Sequence, residues 1–359
     1  MTESSFDRKL LSTKVLICVG SGGVGKTTIS SAIGVRAAQM GLRALVLTID
    51  PSLRLKSALG INDQTEGIVE VPDQNYPGKL YALLLQPEKL FQRFIMKSSV
   101  DSQLSAQLLR NRLFHQLSTT LSGSQEFTSL LQLAEVVQNK SYDIVILDTP
   151  PAQHAVEFLE APEKILALFQ ESVVKWFVGD SKDVGFIRKI ISKSTLKILS
   201  LLEKVTGSVF MHELREFFAS VKSVQTSISD KSEQITKILK DEQTSFVLVT
   251  GFAQAKIQEA EYLRAYLARK DFRMWSVVIN RAFFSWAKKS QNDLPIELVE
   301  DYKKWHSYQE QKMEVYKNFS LKWKQSHSVI MLPDLQNEVS GLIGLEGVAS
   351  ELVLACKEN

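Results

Sequence analysis

Residues 20–27 have the types and spacing that bind phosphate groups. The segment GSGGVGKT fits the pattern G-x-x-x-x-G-K-[ST], and it follows an apolar run and opens a helical one. Glycines let consecutive backbone N–H groups turn towards an anion, and the N-terminus of the next helix adds positive potential there. Lys26 would place its charge between the β- and γ-phosphate oxygens, and the Thr27 hydroxyl would bind Mg²⁺. The pattern predicts a triphosphate-binding loop formed by Gly22, Gly23, Val24, Gly25, Lys26, Thr27 and Thr28.

Two aspartates follow apolar runs and could act together with this loop. Asp148 begins the segment DTPPAQHAVEFL, where it is predicted to bind Mg²⁺ with Thr27, because ligands of open α/β sheets lie at the carboxyl ends of the strands. Asp50 ends an earlier run and would position water or support the metal's ligands. For each aspartate the alternative is a turn residue that caps the end of a strand. Lys26, Asp50 and Asp148 are therefore the candidate catalytic residues.

The elements that would position these residues are short apolar runs. The runs are continuous rather than alternating, which is typical of strands covered on both faces of a parallel sheet. Helical stretches such as 28–40 and 255–269 separate most of them and are long enough for right-handed crossovers. The pattern predicts an α/β fold with a doubly wound, mostly parallel sheet of the P-loop NTPase kind. The runs are 15–20, 44–50, 80–85, 142–149, 246–251, 275–280 and 329–333.

Two stretches depart from this alternation, because residues 87–140 and 155–240 have helical patterns without a convincing strand. We expect a single mosaic domain rather than two separate ones, since no repeat and no Pro- or Ser-rich linker is found. Its nucleotide-binding core would be residues 14–154 and 243–357. Residues 155–242, with part of 87–140, would form an inserted helical subdomain.

The composition is that of an ordinary globular protein. The chain has 359 residues and a net charge of +3, which gives no strong attraction to nucleic acid or to anionic membranes. Its two cysteines form no C-x-x-C, so neither a disulfide framework nor a zinc site is expected. The sequence has no secretory signal and no apolar run long enough to span a bilayer. We expect a cytoplasmic protein whose contact with membranes, if any, is peripheral.

Several motifs together resemble one family. The sequence is similar to the ArsA-type anion-transporting ATPases, which are relatives of the ATPase that targets tail-anchored membrane proteins. The resemblance consists of GGVGKTT followed by TIDP, DTPPxxH, VVINR and a late LPxLxxEVxGLxGL, and it extends from residue 15 to residue 354. It is closest to bacterial ArsA-like proteins with the loop GSGGVGKTT and the segment NRxxxxLSxxLSGSQE, which is residues 111–126 here.

The resemblance implies a deviant-Walker P-loop fold that binds ATP and Mg²⁺ and works as a dimer. Residues 50–59 and 148–154 would be the two switches that respond to the nucleotide. Asn280 and Arg281 would contact the adenine, and a loop that begins at Pro333 would close over the base. The dimer would contain two copies or a paralogous ATPase. Its nucleotide state would switch its conformation to handle a hydrophobic protein client or a membrane partner.

The sequence departs from the family's pattern at three points. Ser21 stands where related loops carry a second lysine that reaches the partner subunit's phosphates. Ser57 stands where switch I carries the aspartate that polarises the attacking water. The zinc-binding C-x-x-C of the tail-anchor targeting ATPase is missing, so no zinc is expected at a dimer interface. Because phosphoryl transfer depends on positioning and charge stabilisation, we expect hydrolysis to be slow.

Other functions stay open on the residues alone. A non-hydrolysing module that uses ATP only to set a conformation is the main alternative, and a ParA/MinD-type positioning ATPase is a second one. Residues 344–359 could form a helix with apolar Leu345, Val348, Leu352 and Leu354, but they carry little positive charge for anionic lipid. The amphipathic pattern between 162 and 211 is typical of core or subunit interface, with a client groove as the alternative.

Overall fold

A computed structural model of the chain describes residues 4–49, 54–61, 67–85, 87–98, 109–111, 124–168, 213, 216–217, 220, 224–284, 295–324, 327–335, 339 and 341–356. The chain forms two compact units. The first comprises residues 1–85, 135–156 and 238–359, and the second comprises residues 86–134 and 157–237. The proposed single mosaic domain, with its subdomain at 155–242, stays a prediction.

The first unit is built on an eight-stranded sheet with the strand order β3-β4-β2-β5-β1-β6-β7-β8. Neighbouring strands are parallel, except that the edge strand β3 runs antiparallel to β4. The predicted doubly wound α/β fold is confirmed. The strands are β1 (Val15–Gly20), β2 (Arg43–Thr48), β3 (Ile68–Glu70), β4 (Lys79–Leu84), β5 (Ile144–Asp148), β6 (Thr244–Thr250), β7 (Met274–Phe284) and β8 (Ser328–Asp334).

The central strands are buried along their whole length, which explains their continuous apolarity. Every residue of β1, β5 and β6 is buried. Strand β3 was not predicted, because it has only three residues and Ile68 at its start is 44% exposed. Strand β7 continues four residues past its predicted end, through a register shift against β8 that lies between Ile279 and Phe283.

Helices connect the strands and extend into the second unit. In the described part of the chain, none of them combines the length and apolarity needed to cross a bilayer. A short 3₁₀ turn, Ile296–Leu298, precedes one of the α-helices. The α-helices are α1 (Ser5–Leu11), α2 (Lys26–Gln39), α3 (Arg54–Leu59), α4 (Pro87–Ser98), α5 (Ser124–Gln138), α6 (Ala152–Leu168), α7 (Gln225–Lys240), α8 (Gln254–Arg269), α9 (Val299–Lys324) and α10 (Gly341–Ala355).

One face of the sheet packs against α2 and α10. Ile33 of α2 is fully buried in the same apolar cluster as alternate residues of β1, β2 and β5. Leu345, Val348 and Leu352 of α10 belong to this cluster, whereas Leu354 is 51% exposed. Three of the four apolar residues predicted for this C-terminal helix are therefore part of the core.

The carboxyl ends of the central strands meet beside the start of α2. Strand β1 ends at Gly20, and the next residues form the turn into α2. In the sheet register, Asp148 of β5 lies opposite Cys18 of β1 on one side and opposite Thr48 of β2 on the other. The parallel order therefore brings the phosphate loop, Thr48 and Asp148 to one edge.

Candidate nucleotide-binding site

The loop between β1 and α2 has the backbone geometry of an anion site. Gly23 and Gly25 adopt positive φ angles of 74° and 88°, which glycine reaches without steric cost. Gly20 is extended, but a Cβ there would overlap the backbone carbonyl oxygen of Val249. Gly25 is the N-cap residue of α2, and because it has no side chain it makes no capping hydrogen bond to the first turn. This arrangement leaves the first turn of α2, with Lys26, Thr27 and Thr28, to meet a negatively charged ligand.

The Lys26 side chain lies inside the loop. It is only 8% exposed, and its Nζ donates a hydrogen bond of 2.8 Å to the backbone oxygen of Ser21. The pKa of the neighbouring Cys18 thiol is raised by burial and by Asp148, with the Lys26 charge opposing them. The loop itself contains no carboxylate that could neutralise this buried lysine. Lys26 is therefore suited to binding phosphate.

Asp148 connects the loop to two strands. Its Oδ2 accepts hydrogen bonds from the Thr27 hydroxyl at 2.6 Å and from the Thr48 hydroxyl at 3.1 Å. Asp148 is 1% exposed, and the adjacent Thr149 donates its hydroxyl hydrogen to the backbone oxygen of Cys18 at 2.7 Å. The structure thus brings together the two residues that the sequence predicted as metal ligands.

The donor set of this site fits magnesium. Thr27 and Asp148 offer a hydroxyl and a carboxylate, the hard oxygen ligands that Mg²⁺ prefers, and they lie within hydrogen-bond distance of each other. No group of three or more His, Cys, Asp or Glu that could hold a metal is found in the described segments.

Asn280 lies against the phosphate loop. Its Nδ2 donates a hydrogen bond of 2.9 Å to the backbone oxygen of Val24. The side chain of Arg281 is 73% exposed, and its Nε lies 3.6 Å from a carboxylate oxygen of Asp334. Pro333, next to Asp334 on β8, pairs with Phe283 of β7. The three residues predicted for the adenine therefore lie near the carboxyl ends of β7 and β8, and residues 336–338 of the base loop lie outside the described residues.

Comparison with known proteins agrees with this site. The family model for the anion-transporting ATPase matches residues 13–354 of the chain. The chain belongs to this family. The predicted family is confirmed, whereas ATP hydrolysis and the individual site residues stay predictions.

The similar proteins are distant and differ in their names. The chain is 26% identical over 281 residues to a protein of Chlorobaculum tepidum that is named as an arsenical pump-driving ATPase, a match covering 75% of the chain and 61% of that protein. It is 25% identical over 338 residues to ATPase get3 of Aspergillus terreus, covering 93% of the chain and 88% of that relative. With ATPase GET3 of Mycosarcoma maydis the identity is 24% over 355 residues, covering 98% and 93%.

In this member of the anion-transporting ATPase family, position 21 is part of the interior. Ser21 is 1% exposed, and Glu259 of α8 lies beside it. The Ser21 hydroxyl lowers the pKa of Glu259 against the opposing effect of burial, and Lys256, whose Nζ is 3.3 Å from the carboxylate, and Lys26 lower it further. A carboxylate thus borders the phosphate loop at Ser21.

Some predicted residues cannot be placed. Asp50, together with Pro51, lies outside the described residues, so its catalytic role stays a prediction. Residues 54–59 of switch I form α3, in which Ser57 is exposed, whereas residues 52 and 53 also lie outside the described residues. His154 of the second switch is exposed in the first turn of α6.

Thr48 and Glu259 are site residues that the sequence analysis missed. Thr48 is the last residue of β2, and its position at a parallel strand end next to Asp148 was a usable signal. Glu259 gave no such signal, because it belongs to an amphipathic helix far from the loop in sequence. Only the packing of α8 against β1 and β6 brings it near Ser21.

Proposed function

We propose that this chain binds Mg²⁺–ATP at the 20–27 loop and hydrolyses it slowly. The observation that carries the proposal is the 2.6 Å hydrogen bond between Thr27 and Asp148, directly beside the buried Lys26. Metal ligand and phosphate-binding cation are thereby adjacent, as P-loop catalysis requires. The proposal goes beyond family membership, because the match covers 61% of the length of the arsenical pump-driving relative.

The roles of the chain's own groups follow from their positions. Lys26 would exchange its bond to the Ser21 oxygen for bonds to phosphate oxygens, while the loop N–H groups hold the triphosphate in place. Thr27 and Asp148 would hold the magnesium ion, and Thr48 would keep the Asp148 carboxylate oriented. When bound, magnesium supplies charge neutralisation at the bridging phosphate oxygens.

A specific observation keeps the non-hydrolysing module as the second candidate. Ser21 is buried, and the Glu259 carboxylate lies beside its hydroxyl, while the Lys26 Nζ contacts its backbone oxygen. A negative group at this border contributes nothing to stabilising charge on a transferred phosphoryl group. If no cation comes from elsewhere, ATP would bind and set a conformation without being cleaved.

Phosphate release distinguishes the two candidates. We expect purified wild-type protein to release phosphate slowly, Lys26→Ala to release none, and Ser57→Asp to exceed wild type because it restores the water-orienting carboxylate of the family. Lys304→Ala, which removes a 69% exposed lysine on α9, is the matched control and should equal wild type. ATP binding by wild type without release above Lys26→Ala would favour the non-hydrolysing module.

For the assembly, we propose a dimer of two copies or of this chain with a paralogous ATPase. Its nucleotide state would change its conformation and thereby control a hydrophobic client or a membrane partner. The relatives named ATPase get3 and ATPase GET3, which cover nearly the whole chain, support an assembly of this kind only by family likeness. The cytoplasm is the proposed compartment, and the free thiols of Cys18 and Cys356 agree with it.

A further inference from the structure

Asn280 lies at a break in the regular pairing of β7. The pairing of β7 with β6 ends at Ile279, and its register against β8 shifts between Ile279 and Phe283. Within this break, Arg281 has a φ angle of 53°, in the left-handed region that non-glycine residues rarely adopt. Bulges of this kind redirect a side chain out of the regular strand pattern, and many occur next to functional sites.

The redirected Asn280 side chain contacts the phosphate loop at two adjacent residues. Its Nδ2 donates 2.9 Å to the backbone oxygen of Val24, while its Oδ1 accepts a 3.1 Å hydrogen bond from the backbone N–H of Arg281. A Cβ at Gly25 would lie 2.5 Å from Nδ2, so the amide packs directly on the backbone that precedes Lys26. Both polar atoms of the Asn280 amide group therefore have a hydrogen-bond partner, which fixes the orientation of the side chain.

Fixing the Val24 carbonyl also fixes the next N–H. The peptide between Val24 and Gly25 is planar and trans, so its C=O and N–H point in opposite directions. Because the oxygen points to Asn280, the Gly25 N–H points away from Asn280. In a phosphate loop, the orientation of each backbone N–H determines whether it can reach the anion.

We propose that Asn280 is a positioning residue for the phosphate loop, acting through the Val24 carbonyl to orient the Gly25 N–H towards phosphate. This role is separate from any contact of Asn280 with the base, and it rests on the proposed function as a nucleotide site. It predicts that Asn280 contributes to the binding of a ligand that has phosphates but no base.

Inorganic tripolyphosphate is such a ligand, and calorimetric titration can compare it with ATP. Asn280→Ala removes the donor together with the bulk, whereas Asn280→Leu keeps a side chain of similar size but cannot donate. Because one hydrogen bond is lost, we expect both variants to bind tripolyphosphate roughly three- to tenfold more weakly than wild type. Asn139→Ala, at an exposed asparagine after α5, is the matched control and should bind like wild type. Thermal unfolding without ligand is recorded for every variant.

The outcomes separate this inference from the proposed function. Weaker tripolyphosphate binding in both Asn280 variants supports the positioning role. Loss of ATP affinity with unchanged tripolyphosphate affinity overturns it, because Asn280 would then contact only the base. A lower unfolding temperature with unchanged tripolyphosphate affinity also overturns it, since the contact would then be merely structural. Wild-type protein that binds ATP but no tripolyphosphate counts against it as well, whereas wild type that binds neither ligand overturns the proposed function itself.

Discussion

At the scale of single residues, the Asp148 carboxylate depends on a threonine from each of two neighbouring elements. Thr27 belongs to α2 and Thr48 to β2, and both donate to the same oxygen. Thr27 is a predicted metal ligand, whereas Thr48 donates to the Asp148 carboxylate and would support it as a ligand. Groups behind a metal ligand fix its orientation, and losing one commonly weakens metal affinity by tenfold or more.

The role of Thr48 can be tested with Thr48→Val, which keeps the shape but removes the hydroxyl. We expect affinity for Mg²⁺–ATP to fall roughly tenfold, because the carboxylate loses one of its donors. Affinity for ATP in the presence of a chelator should change much less. Calorimetric titration under the two conditions measures both values.

Thr250→Val is the matched control for this substitution. Thr250 ends β6, is fully buried, and donates its hydroxyl hydrogen to the backbone oxygen of Lys256 at 3.0 Å rather than to Asp148. It should therefore not alter the dependence on magnesium. Equal losses with and without the metal in Thr48→Val, or the same metal-dependent loss in Thr250→Val, would contradict the assignment.

The two left-handed glycines of the loop predict unequal effects of alanine. Both substitutions introduce strain of about 1–2 kcal/mol at positive φ. At Gly23 the added Cβ meets nothing within 4 Å, whereas at Gly25 it meets Asn280 at 2.5 Å. We expect ATP affinity to fall further in Gly25→Ala than in Gly23→Ala, as measured by titration.

The double variant Gly25→Ala with Asn280→Ala checks the cause. Removing the asparagine also removes the contact, so the added loss due to the alanine should become smaller and approach that of Gly23→Ala. If Gly23→Ala and Gly25→Ala lost similar amounts of ATP affinity, backbone strain alone would account for the loss.

Sequence was sufficient for those site residues that belong to a contiguous motif or follow a strong strand. Lys26 and Thr27 come from one motif, and Asp148 follows an apolar run, so their meeting requires only a parallel sheet. Glu259 and the contact of Asn280 with Val24 were not predictable, because they depend on helix packing and on a strand bulge. Neither feature leaves a periodic signal in the residues.

At the scale of elements, α1 is attached to α2 by an ion pair of two hydrogen bonds. Arg36 donates to the two carboxylate oxygens of Asp7 at 2.8 and 2.7 Å, and the Asp7 side chain is 7% exposed. Burial raises the pKa of Asp7, but the hydrogen bonds from Arg36 and Ser4 outweigh it, so the pKa lies below its ordinary value. The ionised carboxylate therefore stabilises the folded state.

Asp7→Asn tests this attachment. At pH 7 we expect it to lower the free energy of unfolding by about 2 kcal/mol, because hydrogen bonds to a charged group are lost. Since the folded-state pKa is depressed, the wild-type advantage is present above the unfolded pKa of about 3.9 and begins to shrink below about pH 5. Urea unfolding at pH 7, 5, 4 and about 3 measures the difference.

Glu70→Gln provides the comparison for an exposed pair. Glu70 and Lys79 are about half exposed, at 47% and 51%, and their 2.8 Å ion pair joins β3 to β4. Exposed pairs contribute roughly 0–1 kcal/mol, so Glu70→Gln should change stability much less than Asp7→Asn. A gap for Asp7→Asn that stays constant from pH 7 to about pH 3 would be inconsistent with the ionised carboxylate as its source.

Among the elements, apolar strands were predictable and marginal ones were not. The runs for β1, β5 and β6 are fully buried, so their composition alone identifies them. Strand β3 is short and partly exposed, and it exists because β4 offers an unpaired edge. The extension of β7 past Asn280 depends on its bulge against β8, which the residues do not encode locally.

At the scale of the whole molecule, the proposed dimer predicts twice the mass of one chain when nucleotide is bound. Light scattering should give twice the chain mass of 40.4 kDa with Mg²⁺–ATP, whether or not the nucleotide-free protein is also dimeric. Lys26→Ala should lose any dependence on nucleotide, because its loop lacks the cation that neutralises the triphosphate. A single-chain mass for wild type under both conditions would contradict the dimer.

Fold and family could be predicted because the phosphate loop, the aspartates at the strand ends and the LPxLxxEVxGLxGL motif follow one another in the order expected for the family. The assembly could not, since the residues of an interface carry no fixed spacing. The expected insertion of residues 155–242, with part of 87–140, stays a prediction, and helices α5, α6 and α7 cross the boundaries of the two compact units.

The strand order of the sheet affects how the chain folds during its translation. Strand β1 leaves the ribosome early, yet its partners arrive late, since Val15 pairs with Val145 on one side and with Thr244 on the other. Until translation passes residue 250, an apolar strand has an unfilled edge, and long-range parallel pairing forms slowly. The apolar strand β1 therefore stays exposed to aggregation until β5 and β6 have been synthesised, and only then can Asp148 meet Thr27 beside the phosphate loop.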